Sequence, residues 1–208
     1  MEQSFWHERW SSGRIAFHEG EVNAILRDHV DLLGSRVFLP LCGKAVDLAW
    51  LAAREHEVVG AELDAIAVEA FFAEQDQTPD IDAAGPLKRY RAGAVTIFQG
   101  DIFALTADAL GPVDAVFDRA ALVALPPAMR VDYAQHLASL TAHAPQLLVT
   151  YEYDNPAMQG PPHSVPPTEV LDHYGAEYTV TELLRAPITG LLTQRTTGSE
   201  VAYHLTPR

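Results

Sequence analysis

The hydrophobic positions of the chain fall into short continuous apolar runs and longer segments whose apolar residues recur at helical spacing. The apolar runs predict buried strands over residues 35–41, 56–63, 95–103, 112–125 and 146–154. Helical spacing predicts helices over residues 45–55, 64–75, 126–144 and 168–175, with Asp64 capping the second. Strands alternating with helices predict an α/β fold built on a doubly wound, mostly parallel sheet.

Three segments depart from this alternation. Residues 76–93 are rich in proline, glycine and aspartate, and residues 155–167 are rich in proline, so both are predicted to be loops. Residues 177–205 are expected to add one or two further strands. The whole chain, 1–208, is interpreted as a single domain because its length suits one substantial core.

Composition excludes several classes of protein. Hydrophobic residues make up 48% of the 208 residues, which indicates a folded globular chain, and no apolar run approaches the roughly 20 residues of a membrane span. The first ten residues lack the apolar segment of a signal peptide, so we expect a cytoplasmic protein. A net charge of −14 argues against nucleic acid as a partner. We expect no metal, because the histidines and the cysteine do not show the spacing of metal ligands. We expect a monomer, because the sequence has no coiled-coil heptads.

Ligands of doubly wound sheets bind beyond the carboxyl ends of the strands. Glu62 ends the second predicted strand, 21 residues after Leu41, close to the spacing at which an acidic residue holds a ribose diol. An acid at the start of a helix explains Glu62 equally well. Asp101 and Ile102 end the third predicted strand, where adenosine-binding enzymes face the adenine, although aspartate is also common in ordinary turns.

The turn after the first strand, Pro40–Lys44, restricts the class of ligand. It has one glycine and therefore matches neither the dinucleotide motif G-x-G-x-x-G nor the phosphate loop. A ligand with a ribose but no phosphate, such as S-adenosylmethionine, tolerates such a turn. Cys42 in this turn is interpreted as a buried structural thiol in preference to a nucleophile, since no base is identifiable near it.

The segments "PLCGKAVDLAWLA", "HEVVGAEL" and "FDRAALVALPP" occur together with "FWHERWSSGRIAFHEGEVN" and "EYDNPAMQGPPHSVP". In this combination the chain resembles the bacterial thiopurine S-methyltransferases over nearly its whole length. The resemblance implies the class I methyltransferase fold and S-adenosylmethionine as cofactor, with S-adenosylhomocysteine as product. It also implies a small heteroaromatic thiol as acceptor, with selenium or tellurium compounds as further candidates.

The resemblance also assigns roles to positions of this chain. It implies an N-terminal covering segment, 1–34, before a core of 35–208, with a lid helix over Glu19–Leu33. For the substrate it implies Phe17 and Arg119, and the loop that carries His163 where relatives often have an aromatic residue. The residues implied for the cofactor are Trp10, Leu41, Glu62, Asp101, Ile102 and Arg119.

Several roles stay open at this point. Arg119 is expected to favour a thiolate, and His18 or Glu21 to accept a proton, because residues three apart share a helical face. Ordinary solvent exposure explains His18 and Glu21 as well. Trp10 and Phe17 could wall the site or belong to the core. A non-catalytic S-adenosylmethionine-binding regulator is the alternative function, whereas the first turn disfavours a nicotinamide oxidoreductase.

Overall fold

The computed structural model describes residues 3–15, 18, 20–158 and 160–208. Within them, nine strands form one sheet. The strands are β1 (Arg36–Leu39), β2 (Glu57–Glu62), β3 (Asp80–Ala84), β4 (Leu87–Ala92), β5 (Val95–Gln99), β6 (Ala115–Arg119), β7 (Gln146–Glu152), β8 (Tyr178–Pro187) and β9 (Ser199–Pro207). The helices are α1 (Gln3–Ser11), α2 (Ala24–Asp28), α3 (Val46–Ala52), α4 (Ala65–Glu74), α5 (Ala107–Leu110), α6 (Pro127–Leu140) and α7 (Pro167–Tyr174), and short 3-10 helices cover Val30–Leu32, Ile102–Ala104, Leu122–Ala124 and Gly190–Gln194.

The order of strands in the sheet confirms the predicted doubly wound topology. The order is β3-β4-β5-β2-β1-β6-β7-β9-β8, and the five central strands from β5 to β7 run parallel. From β1 the chain winds outward to β5 and then returns to place β6 on the other side of β1. This reversal creates a crevice at the carboxyl ends of β1 and β6, which is where such sheets bind ligands.

The core lies on both faces of the central strands. In β1, Val37 and Leu39 belong to one hydrophobic cluster and Phe38 to the other, because successive side chains point to opposite faces. Burial on both faces explains why the parallel strands were recognisable as continuous apolar runs.

The prediction of a loop over residues 76–93 is wrong, because this segment contains the hairpin of β3 and β4. β4 pairs antiparallel with β5, and β3 lies at the edge of the sheet with mostly exposed residues. Only Leu87 and Tyr90 of β4 are buried. An exposed edge strand lacks the continuous apolar run by which the central strands were found. The predicted strands in the C-terminal tail are confirmed as β8 and β9.

The predicted lid helix over Glu19–Leu33 is also not formed as one helix. α2 has five residues, a 3-10 helix follows it, and Glu19 lies outside the described residues. The side chain of Asn23 caps α2, and the carboxylate of Asp47 accepts a hydrogen bond from the Asn23 backbone at 2.8 Å. Ile25 and Leu26 are buried in the core. The apolar residues of this segment therefore pack on the sheet layer, and the element that covers the strand ends is α1.

Candidate active site

The turn after β1 adopts a left-handed backbone at two residues. Leu41 has φ 47° and Gly43 has φ 55°. A left-handed conformation is unfavourable for leucine and is typical of functional sites. The backbone N–H of Cys42 donates to the carbonyl of Ala61 at 3.0 Å, so this turn is fastened to β2. Leu41 packs partly buried against the core.

Glu62, at the end of β2, closes this turn. Its two carboxylate oxygens accept hydrogen bonds from the backbone N–H of Gly43 at 2.9 Å and of Asp64 at 2.8 Å. Burial raises the pKa of Glu62 to about 7, although the two backbone donors oppose the shift. Each carboxylate oxygen has a further lone pair, so Glu62 can accept hydrogen bonds from a ligand while it holds the turn.

Cys42 is suited to packing and not to nucleophilic attack. Its thiol is buried, and burial, together with the negative charge of Glu62, raises the pKa of Cys42 well above its ordinary value. A Cβ atom at Gly60 would lie 2.7 Å from the sulfur, so β2 passes directly beside it. A neutral thiol under the turn agrees with the structural interpretation of this cysteine.

The turn after β5 lies beside the turn that Glu62 closes. The backbone N–H of Gly100 donates to the carbonyl of Glu62 at 2.8 Å. β5 ends at Gln99, earlier than predicted, and Asp101 caps the following 3-10 helix by accepting from the Phe103 N–H at 3.0 Å. Ile102 is buried. Asp101 therefore has the local turn role, and its position facing the adenine stays a prediction.

Helix α1 lies across these strand ends. The Gln3 side chain donates to Asp101 at 3.1 Å, and the His7 Nδ1 atom lies 2.6 Å from a carboxylate oxygen of Asp64. Trp10 is buried, and a Cβ atom at Gly43 would come within 3.2 Å of its indole ring. Positions 3, 7 and 10 share one face of a helix. Of these contacts, sequence reasoning identified only Trp10; the i, i+4, i+7 spacing of polar and aromatic residues is the signal that was available.

Arg119 is the last residue of β6, beside β1 and β7. The turn that follows is held by Asp118, which accepts from the Leu122 N–H at 3.1 Å and from the Tyr133 hydroxyl at 2.7 Å. Burial raises the pKa of Asp118 to about 6. Sequence reasoning missed this aspartate, although it lies directly before Arg119. Its hydrogen bonds fix the strand end from which Arg119 projects.

The loop between β7 and α7 lies against the turn after β6. The backbone N–H of His163 donates to the carbonyl of Val123 at 2.7 Å, and the imidazole lies directly against Gly160. Burial and the charge of Arg130 lower the pKa of His163, which favours the neutral form of its ring. A cavity of about 500 Å³ lies beside this loop and is bordered in part by Ser164. The structure thus brings His163 to the turn that carries Arg119.

Two other predicted residues are not on the helix that was expected for them. His18 and Glu21 lie in the non-helical segment between α1 and α2, so the prediction that they share a helical face is wrong. Glu21 is exposed. Phe17 lies outside the described residues.

The described part of the chain has neither a group of metal ligands nor a membrane-spanning helix. Over residues 3–15, 18, 20–158 and 160–208, no three His, Cys, Asp or Glu side chains are grouped so that they could hold a metal ion. No helix among these residues combines the length and the apolar character required to cross a bilayer.

The fold is similar to those of solved S-adenosylmethionine-dependent methyltransferases. The 1,6-didemethyltoxoflavin-N1-methyltransferase of Burkholderia thailandensis, with S-adenosylhomocysteine bound, has a TM-score of 0.67 and 14% identity over 99% of this chain and 87% of that chain. Magnesium protoporphyrin IX methyltransferase of Synechocystis, also with S-adenosylhomocysteine, has a TM-score of 0.61 and 15% identity over 98% and 95%. The fold is that of the class I methyltransferases.

Sequence comparison defines the family. Residues 1–204 match the family described as Thiopurine S-methyltransferase (TPMT). The thiopurine S-methyltransferase of Xanthobacter autotrophicus is 55% identical over 91% of this chain and 92% of its own length, and that of Gluconobacter oxydans is 44% identical over 98% and 94%. The chain belongs to the thiopurine S-methyltransferase family. It is an enzyme that transfers methyl groups from S-adenosylmethionine.

Proposed function

We propose that the enzyme methylates the sulfur of small heteroaromatic thiols, including the thiopurines after which its relatives are named. The observation that carries this proposal is the pair of charged residues on the two sides of β1. Glu62 ends β2 on one side, and Arg119 ends β6 on the other. A carboxylate suits the hydroxyls of a ribose, and a guanidinium suits an anionic thiolate.

On the cofactor side, Glu62 is proposed to accept hydrogen bonds from the ribose. Leu41 and Trp10 pack against the cofactor, and Asp101 and Ile102 border its adenine. S-adenosylmethionine supplies a methyl group bound to a positively charged sulfur. The position of α1 over the turns after β1, β2 and β5 supports a role in excluding water from this group.

On the acceptor side, Arg119 is proposed to stabilise the thiolate, which is the better nucleophile. Phe17 and His163 border the acceptor. His18 or Glu21 accepts a proton from the thiol, through water if neither side chain reaches it directly. Positioning of the reactants supplies much of the acceleration, up to roughly 7–11 kcal/mol in favourable cases.

The first experiment measures transfer of a labelled methyl group from S-adenosylmethionine to 6-mercaptopurine. Transfer is expected with the wild type and should collapse in Glu62→Ala. Glu57→Ala is the matched control, because Glu57 is exposed at the opposite end of β2 and contacts Arg36. Tight binding of S-adenosylhomocysteine without transfer would refute the thiol acceptor, and a wild type without binding would refute the proposed site.

The acceptor roles need their own variants. Arg119→Met should move the rising limb of the pH–rate profile to higher pH, because no cation then favours the thiolate, whereas Arg119→Lys should keep part of the effect. Arg27→Met, an exposed arginine on α2, is the control. Unchanged turnover from acid to alkaline pH in a His18→Gln, Glu21→Gln double variant would remove both residues from the mechanism.

Soft chalcogen nucleophiles are the proposed class of natural acceptor, so selenium and tellurium compounds are included. A selenol should then compete with 6-mercaptopurine for methylation, whereas a phenol of similar size should not. Equal methylation of the phenol would contradict this selectivity. A role in detoxification predicts lower tolerance of tellurium and selenium compounds in cells that lack the enzyme, and unchanged tolerance would exclude it.

We also propose that the enzyme acts as a cytoplasmic monomer with one domain. Within the N-terminal segment 1–34, α1 would cover the site, and residues 35–208 would form the core that carries it. All nine strands of the described residues belong to one sheet, which supports the single core. Light scattering should give the mass of one chain, 22.7 kDa, at micromolar concentration. A dimer mass under these conditions would overturn this part of the proposal.

A further inference from the structure

Arg130 of α6 is a fully buried arginine that contacts three different parts of the structure. Only 1% of its surface is exposed. Its Nε atom donates to the carbonyl of Leu125 at 2.9 Å, and its Nη1 atom donates to the carbonyl of Ser164 at 3.2 Å. The same Nη1 atom lies 2.7 Å from a carboxylate oxygen of Glu169 on α7. One guanidinium therefore ties together two loops and a helix.

The two loops are the ones that carry the proposed acceptor residues. Leu125 ends the turn that begins with Arg119, and Ser164 follows His163 directly. The backbone hydrogen bond from His163 to Val123 joins the same two loops at 2.7 Å. Arg130 therefore bonds to both of the loops that this backbone hydrogen bond joins.

Stability alone is a poor reason for an arginine at this position. Removing a charge from water costs several kcal/mol, and a buried ion pair is often no more stabilising than a hydrophobic pair of similar size. Within residues 3–15, 18, 20–158 and 160–208, the Nη2 atom of Arg130 has no hydrogen-bond partner, although it is buried. Glu169 also accepts from His173 at 3.2 Å, so the arginine shares its counterion. The fork geometry of the guanidinium, which contacts both loops, is what a hydrophobic residue could not supply.

We propose that Arg130 is a positioning residue of the acceptor site. It holds the His163–Ser164 segment against the turn of Arg119 and so determines the affinity and the orientation of the thiol. Its hydrogen bonds go to Leu125, Ser164 and Glu169, and none of these residues is assigned to the cofactor. This inference rests on the proposed function for the identity of the acceptor.

Arg130→Lys is the principal test, because lysine retains the positive charge opposite Glu169 but lacks the planar fork. The KM for 6-mercaptopurine should rise about tenfold or more, since misplacement by an ångström costs up to about a hundredfold in rate. The Kd of S-adenosylhomocysteine should stay within about twofold of wild type, because distant sites act independently. Arg89→Lys is the matched control: Arg89 pairs with Asp82 at the opposite edge of the sheet.

A second variant separates positioning from stability. Arg130→Met combined with Glu169→Leu removes both charges and should retain the melting temperature of the wild type more closely than Arg130→Met alone. If Arg130 positions the loop, the double variant still has a raised KM for the thiol. Recovery of the wild-type KM in the double variant, or a parallel rise of KM and of the S-adenosylhomocysteine Kd in Arg130→Lys, would overturn the proposal.

Failure of the proposed function has a different signature. A wild type that binds S-adenosylhomocysteine but methylates no thiol refutes the thiol acceptor, and the role of Arg130 is then measured by hydrogen exchange. Arg130→Lys should accelerate exchange of the His163 and Val165 amides, which bond to Val123 and Tyr151. The Gly43 amide, which bonds to Glu62, should be unaffected. Unchanged exchange at His163 and Val165 would refute the positioning role.

Discussion

Affinity for S-adenosylhomocysteine should fall as the pH is lowered through neutrality, because the proposed ribose ligand Glu62 loses its charge there. Burial raises the pKa of Glu62 to about 7, and the ionised carboxylate is the better acceptor for ribose hydroxyls. About 90% of these carboxyl groups are ionised at pH 8 and about 10% at pH 6, so the apparent Kd should rise about tenfold. This factor corresponds to about 1.4 kcal/mol of binding free energy.

Other ionisable groups lie close to Glu62 and need controls. Burial raises the pKa of Cys42 well above its ordinary value, so the thiol keeps its proton throughout this range. Asp64, whose backbone N–H donates to Glu62, also contacts His7 of α1. His7→Gln therefore tests whether the pH dependence arises at α1 and not at Glu62.

Isothermal titration calorimetry with S-adenosylhomocysteine at pH 6, 7 and 8 measures the effect. Glu62→Gln should bind more weakly at pH 8 and show no pH dependence, whereas Glu57→Gln should follow the wild type. His7→Gln should retain the tenfold change. A wild-type Kd that is constant from pH 6 to 8, or a pH dependence that survives in Glu62→Gln, would refute the reasoning.

Three further predictions concern stability and the covering helix. Burial raises the pKa of Asp118 from 3.8 to about 6, so the folded protein holds a proton that the unfolded chain releases, and the ionised residue costs stability above pH 6. In urea unfolding, the stability of Asp118→Asn relative to wild type should therefore improve by roughly 2.4 kcal/mol from pH 4 to 7. A difference that is constant with pH would contradict this. Gly60→Ala should lower the stability of the fold by about 1–3 kcal/mol, because its Cβ would meet the Cys42 sulfur. Adding Cys42→Ala should restore most of this loss. If thermal unfolding shows no recovery, the contact is excluded as the cause. Trp10→Ala removes the buried side chain that anchors α1, and such a loss costs about 3–5 kcal/mol in a core. In limited proteolysis, α1 of the variant should be cleaved much earlier than the strands of the sheet. Equal cleavage rates in variant and wild type would show that Trp10 does not hold the helix.

The fold was predictable to the extent that burial leaves a pattern in the sequence. The five parallel strands are buried on both faces, so each appears as a continuous apolar run, and the alternation with helices is then sufficient for the topology. The hairpin of β3 and β4 was not predicted, because its residues are mostly exposed and leave no apolar run in the sequence. Its pairing with β5 is a tertiary contact between two separate segments. The N-terminal helix α1 was not predicted, because Trp10 is the one buried residue within it and a single buried residue produces no helical spacing.

Some residues of the candidate site were predictable from the sequence, and others were not. Glu62 and Asp101 were found because they lie at or just after the carboxyl ends of parallel strands, which meet at one edge of the sheet. Arg119 was found only through the family resemblance. The pairing of His18 and Glu21 on a helical face failed because spacing alone does not show that a segment is helical. Asp118 and Arg130 were missed because their importance lies in what they bond to, which their positions along the chain do not reveal.

The sequence by itself determined the doubly wound sheet, the one-glycine turn that excludes a pyrophosphate, and the family to which the chain belongs. These properties follow from local spacing, burial and motifs, which act over a few neighbouring residues. Tertiary structure alone decided that His7 meets Asp64, 57 positions away, and that Arg130 meets Ser164 and Glu169, 34 and 39 positions away. Such contacts depend on how the elements pack, because a buried polar group bonds to whichever partner the fold brings within reach.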